Sequence, residues 1–174
     1  YHSAGKRDTA QDLLKTVLDD ERDDPHILYD YWIARYAEWI VEGGDPKSAE
    51  NFLLDEFDAK RGVEAWQVAQ KLAAFYLDQG DPDNAQIWVE TALEGGPENP
   101  FNHYLQGLLL HTVENWEKAV ASYEKAHELS DRFREQERVY MTQLVEEGLE
   151  AARNQRPVED EEAEEGTSGE SENG

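Results

Sequence analysis

The chain has no cysteine and a single methionine in 174 residues. Disulfide frameworks, thiolate nucleophiles and thiolate metal sites are therefore closed to it. No apolar run reaches the roughly 18–20 residues that a membrane-spanning helix needs, and no secretory leader is visible. Positive charge is scarce: 16 Lys and Arg stand against 40 Asp and Glu, a formal net charge of −24. Phosphate backbones and anionic lipid attract basic surfaces, so neither nucleic acid nor direct membrane insertion is expected. Such acidity favours solubility, and densely placed hydrated carboxylates also suit a high-salt setting.

Catalytic constellations are missing as well. The five histidines, His2, His26, His103, His111 and His127, are scattered, and no His-Glu-x-x-His occurs. His103 and His111 lie eight residues apart, about two helical turns, without a third ligand. No Gly-x-Ser-x-Gly nucleophile turn is present, and Gly5-Lys6 lacks the leading glycine of a phosphate loop. Asp19, Asp20, Glu21, Asp23 and Asp24 have neither the ligand spacing nor the turn glycine of a calcium loop, so they read as a solvated turn. The expectation is a protein that is not an enzyme, with no cofactor and no metal. Alternating β-branched runs are also absent, which leaves no sheet to expect.

What the chain does contain is a repeat, clearest between Gly80 and Pro97. Gly80 is suited to the left-handed conformation that ends a helix, because it has no Cβ. Asp81 is placed to cap the next helix, and Pro82 fits its first turn, where the missing N–H costs nothing. Ala85, Trp88, Val89, Ala92 and Leu93 fall three or four apart and share one face. Gly95, Gly96 and Pro97 stop the helix. Gly44-Asp45-Pro46 leads in the same way to Ala49, Glu114-Asn115-Trp116 to Ala119, and Gly5-Lys6-Arg7 to Ala10. The four alanines are spaced 39, 36 and 34 residues apart, and a larger apolar residue follows each at the fourth place: Leu14, Leu53, Val89 and Tyr123. Val17, Ala92 and Ala126 follow three later; the remaining copy has Glu56 there, a departure. A period of this length with two helices per unit means stacked helix pairs, none of which has a full interior alone.

At this point the sequence resembles the tetratricopeptide repeat family, over roughly residues 1–131. One unit carries Leu72, Ala73, Tyr76, Ala85, Val89, Ala92 and Pro97. The next has Gly107, Leu110, Ala119, Tyr123 and Ala126, with His103 and Gln106 where apolar residues are usual. A weaker unit has Ile33, Ala37, Ile40, Ala49 and Leu53. The resemblance implies an all-α fold, a right-handed α-α superhelix with a C-terminal capping helix. The expected organisation is a partial repeat at 1–24, repeats at 25–62, 63–98 and 99–130, a cap at 131–156, and a disordered acidic tail at 157–174.

Within that frame, helices are expected near 8–20, 25–42, 46–60, 63–79, 82–94, 99–112 and 116–129. Of the aromatics Tyr29, Tyr31, Trp32, Tyr36 and Trp39, most should pack between helices and one or two should face outward. In the cap, Val139, Tyr140, Leu144, Val145 and Leu149 keep helical spacing and are expected to cover the last repeat. The tail has eight acidic residues and no basic ones. It cannot bury enough to offset its entropy loss. It either solubilises the chain, folds back on Arg132, Arg134 and Arg138, or docks on a basic partner. Tyr1 stands four residues before Gly5 as Tyr76 stands four before Gly80. The chain is therefore expected to be the C-terminal part of a longer protein, soluble and cytoplasmic or periplasmic, with any targeting signal upstream of residue 1.

In this family the first helices of successive units line a concave groove that holds an extended peptide or a partner helix. The resemblance thus implies a non-catalytic protein–protein interaction scaffold. The groove residues it implies are Tyr31, Arg35 and Glu38, then Gln67, Gln70 and Lys71, then Phe101, Tyr104, Leu108 and His111. Arg35 and Lys71 are expected to receive a peptide carboxylate. One subclass grips C-terminal carboxylates with Lys, Asn and Arg, but Ala34 and Glu38 stand at the first two of those places, so that mode is not expected. Two alternatives stay open: a non-catalytic extension of an enzyme whose active domain lies upstream, and self-association through an exposed repeat edge.

Overall fold

The computed structural model describes residues 4–20, 29–59, 64–132 and 135–155. All regular structure among them is α-helical: α1 (Ala4–Asp20), α2 (Tyr29–Glu42), α3 (Pro46–Ala59), α4 (Ala65–Asp78), α5 (Pro82–Gly95), α6 (Pro100–Thr112), α7 (Trp116–Ser130) and α8 (Glu135–Gln155). The turn expected at 21–24, the opening of α2 at Pro25, the reading of Tyr1 and the acidic tail at 157–174 all lie outside the described residues.

The turns between paired helices repeat the same backbone solution. Gly44 has φ +89° and Gly80 φ +70°, the left-handed region that a Cβ disfavours. Glu114 takes the third equivalent place at φ +58°, with a side chain where its counterparts have none. Asp45 and Asp81 then cap: their Oδ1 atoms accept from the amides of Ser48 at 3.0 Å and Asn84 at 3.1 Å. Asn115 stands at the third such N-cap, but its side chain makes no capping bond. The backbone bond from Ala119 N to Asn115 O, 2.9 Å, forms there as its counterparts do from Ala49 to Asp45 and from Ala85 to Asp81.

Stacking follows from the small residues. Ala49, Ala85 and Ala119, the repeat alanines, are each completely buried. Beside them Leu53, Val89 and Tyr123 are buried too, so each second helix packs closely on its first helix. Each helix packs on the next in sequence, from α1 on α2 to α7 on α8, and the first helices also touch in a row: α2 with α4, α4 with α6, α6 with α8. Among the described residues the second helices α3, α5 and α7 make no such mutual contacts. One row is thus drawn together and the other spread apart. This asymmetry curves the stack, with α2, α4, α6 and α8 on its inner side. The result is an all-α helical repeat superhelix.

Two positions depart from the expected pattern for physical reasons. Glu56, the departure in the α3 copy, is buried and accepts a hydrogen bond from Tyr29 Oη at 3.1 Å, so a polar pair replaces an apolar contact. In α8 the buried residues are Met141, Val145 and Ala152, with Leu144 and Leu149 half-buried. Val139 and Tyr140, expected to cover the last repeat, are exposed instead. They sit one and two residues before Met141, and a step of about 100° per residue carries them off the buried stripe.

Candidate functional site

The inner row of first helices forms a groove of about 730 Å³. Its floor is apolar: Ala34 and Val41 from α2, Ala74 and Phe75 from α4, Phe101 from α6. Tyr31 and Tyr140, each 62% exposed, stand at its margins and come from α2 and α8. The side chains needed to line one groove therefore come from all four inner helices. Only stacking brings them together, since Tyr31 and Tyr140 are 109 positions apart in sequence.

Polar groups edge this floor. Asp30, Glu38, Glu42 and Asp78 contribute carboxylates, and Lys71 is the one basic residue in the lining among the described residues. Lys71 is already engaged. Its Nζ forms an ion pair with Asp30 and donates to the Gln67 carbonyl at 3.1 Å, and its side chain is only 12% exposed. Burial pulls its pKa below the ordinary lysine value, partly offset by Asp30. Arg35, just beside the groove, is engaged likewise. It donates to Glu38 at 2.7 Å, lies 4.0 Å from Glu42, and stacks over the Trp39 ring at 4.9 Å. The two cations expected to receive a peptide carboxylate are thus held by carboxylates of their own chain.

Asp78 differs from the other groove acids, having no ion-pair partner among the described residues. Partial burial first, and the charge of Glu38 second, hold its carboxyl above the usual aspartate range.

Apart from Arg35, which lies beside the groove, the ten residues implied by resemblance fall into three groups. Tyr31, Glu38, Lys71, Gln70 and Phe101 do line the groove. Gln70 also donates to Asn102 Oδ1 at 2.5 Å and Asn99 Oδ1 at 3.1 Å, tying α4 to the start of α6. Gln67 is used at the α4 N-terminus, where its Oε1 accepts from the Glu64 amide at 2.9 Å. Tyr104, Leu108 and His111 serve packing. Tyr104 lies half-buried between the Phe101 and Tyr123 rings, at 5.8 and 5.9 Å. Burial raises its pKa, followed by the nearness of Tyr140, Glu147 and Asp78. Leu108 packs against the interior on both sides of α6, and His111 sets its ring edge-on to Trp116 at 5.0 Å.

Asp30, Val41, Ala74, Phe75, Asp78 and Tyr140 also belong to the groove and are not among the groove residues the resemblance implies. For Ala74, Phe75 and Asp78 a signal was available. Lys71 plus three, four and seven are 74, 75 and 78, the same helical face. Tyr140 had no such signal, because its place depends on how α8 docks.

Elsewhere the surface is plainer. His103 lies with Nε2 2.8 Å from the Pro97 carbonyl oxygen, and Gln106 accepts from Ser122 at 3.0 Å. The two polar residues at usually apolar places are thereby hydrogen-bonded. Arg132 pairs with Glu98, while Arg134 has no described side chain. Among the described residues no group of three or more His, Cys, Asp or Glu side chains converges to hold a metal ion, and no helix is long and apolar enough to cross a membrane. Comparison of the chain with protein families, characterised proteins and solved structures found no match.

Proposed function

We propose that this chain is a tetratricopeptide-like scaffold that binds a protein segment in the groove formed by α2, α4, α6 and α8, with no catalytic step of its own. The observation that carries this reading is the groove itself: an apolar floor with exposed tyrosines at its margins, built from four separate helices. Exposed aromatics around a concave apolar surface are efficient anchors, because they bring large contact area at low entropy cost. A partner of protein chemistry also fits the charge. Phosphate backbones need free cations, and Lys71 and Arg35 are both paired with carboxylates.

Site-specific photo-crosslinking tests the reading. A photoreactive amino acid replacing Ala74 in the groove should give a discrete protein adduct in cells. The same group replacing Asp83, exposed on α5, should not. Adducts that are equal from the two positions, or absent from Ala74, would refute it.

A further inference from the structure

The groove's occupant can be narrowed by charge. Its lining carries four carboxylates, Asp30, Glu38, Glu42 and Asp78, and one ammonium, Lys71, an excess of three negative charges. Counting Arg35 beside it still leaves two. The excess is not evenly spread. Asp30 is matched by Lys71, and Glu38 and Glu42 share Arg35. Asp78 is left facing Glu38 across the α2–α4 wall without a cation of its own.

Resting on the groove-binding reading above, we propose that the segment taken up is extended and carries lysine or arginine, one cation lying against Asp78 and Glu38 while apolar neighbours cover Ala74 and Phe75. Three features select this occupant. A cation at Asp78 offsets the partial burial of its carboxylate and, second, the nearby charge of Glu38. The exposed faces of Tyr31 and Tyr140 accept a cation or an aliphatic stem equally well. The apolar floor demands that the cations alternate with apolar side chains, as they do in an extended strand whose successive side chains point opposite ways. The chain's own tail does not meet these terms, since residues 158–174 hold eight acids and no base. A second copy brings a further net −24 and is repelled.

The test uses the full 174-residue chain, isotopically labelled, and three synthetic nonapeptides: Ala-Lys-Leu-Lys-Ala-Lys-Leu-Lys-Ala, and the same peptide with Glu or with Ser in place of every Lys. Amide shift perturbation locates each peptide, and fluorescence anisotropy measures its affinity. The lysine peptide should perturb the inner faces of α2 and α4, more strongly at low ionic strength. The double variant Glu38→Gln, Asp78→Asn should weaken it about tenfold. The control Asp83→Asn, Glu90→Gln on α5 should leave its affinity unchanged, although it removes the same net charge. An equal loss in the control, or shifts spread over all acidic surfaces, would overturn the proposal by showing mere attraction to an acidic protein. The serine or glutamate peptide binding the groove as tightly as the lysine peptide would overturn the charge inference and keep the groove. Shifts in none of the inner helices with any peptide would overturn both.

Discussion

The ring of Tyr123 lies directly on the backbone of Gly107. A Cβ built at Gly107 would overlap the edge of that ring, and one built at Gly148 would lie 2.7 Å from Tyr123 Cζ. Tyr123 belongs to α7, Gly107 to α6 and Gly148 to α8, so one aromatic plate joins three helices across two positions without side chains. These glycines are used for close approach and not for backbone freedom, as neither has a positive φ. Gly95 and Gly96 act alike, since a Cβ on either would meet the Trp66 side chain at 2.5 and 2.9 Å.

Gly107→Ala should therefore destabilise the fold by about 2 kcal/mol, the usual cost of overpacking a filled interior. Much of that cost should vanish in a Tyr123→Leu background, because the two positions share one contact. Urea unfolding of the four proteins in this cycle measures the coupling. Tyr123→Phe should cost nothing and raise the urea midpoint slightly. The Tyr123 hydroxyl is buried without a hydrogen-bond partner among the described residues, and burial drives its pKa far up.

Glu114 holds a left-handed backbone that Gly44 and Gly80 occupy at the equivalent turns. Glu114→Gly should stabilise the protein by about 1 kcal/mol, since the Cβ penalty exceeds the added chain entropy. Gly80→Ala should destabilise by a similar amount. Thermal unfolding should move the two in opposite directions, and movement in the same direction would contradict the shared-turn argument.

Asn102 is completely buried and donates to the carbonyls of Ala92 and Gly96, each at 2.7 Å, while accepting from Gln70. It closes the last turn of α5 against the first turn of α6. Asn102→Leu removes the partner of two carbonyls and one amide, and about 2–4 kcal/mol should be lost. Amide hydrogen exchange should show the loss first around the α5–α6 connection, before α2 and α3 respond.

The partial burial of Asp78, with the charge of Glu38 beside it, has a pH signature. Its folded pKa is raised above the ordinary aspartate value, so the destabilising charged form is fully present well above that pKa. The penalty fades as pH falls through the folded value and is gone below the unfolded one. Asp78→Asn should accordingly raise the melting temperature at pH 7 and match the parent at about pH 3. The carboxylate is partly exposed, so solvent screening keeps the effect small. A difference that persists unchanged at acid pH would mean that it does not come from titration.

Helix positions followed from local chemistry almost everywhere they are described. The Asp-Pro starts at Asp45 and Asp81 and the glycine stops at Gly44 and Gly80 act within one turn of backbone, and a linear pattern carries such information whole. α1 begins at Ala4, earlier than the expected residue 8, and helix termini lacking a strong start signal are placed least well. The polar partnerships were not legible. Nothing near Glu56 announces Tyr29, 27 positions earlier, and nothing near Lys71 announces Asp30, 41 positions earlier. Each of these pairs exists because stacking sets two helices side by side.

The period, the small alanines and the capped turns determined, from the chain alone, that helix pairs would stack in a row, because each of those signals is local or repeats at a fixed interval. Tertiary structure alone decided what faces the hollow side. It turned Tyr140 outward into the groove, withdrew Lys71 and Arg35 into ion pairs, and left Asp78 uncompensated beside Glu38. The physical reason is that a side chain's charge balance and exposure depend on the helices docked around it, and those neighbours are separated in sequence by tens of residues.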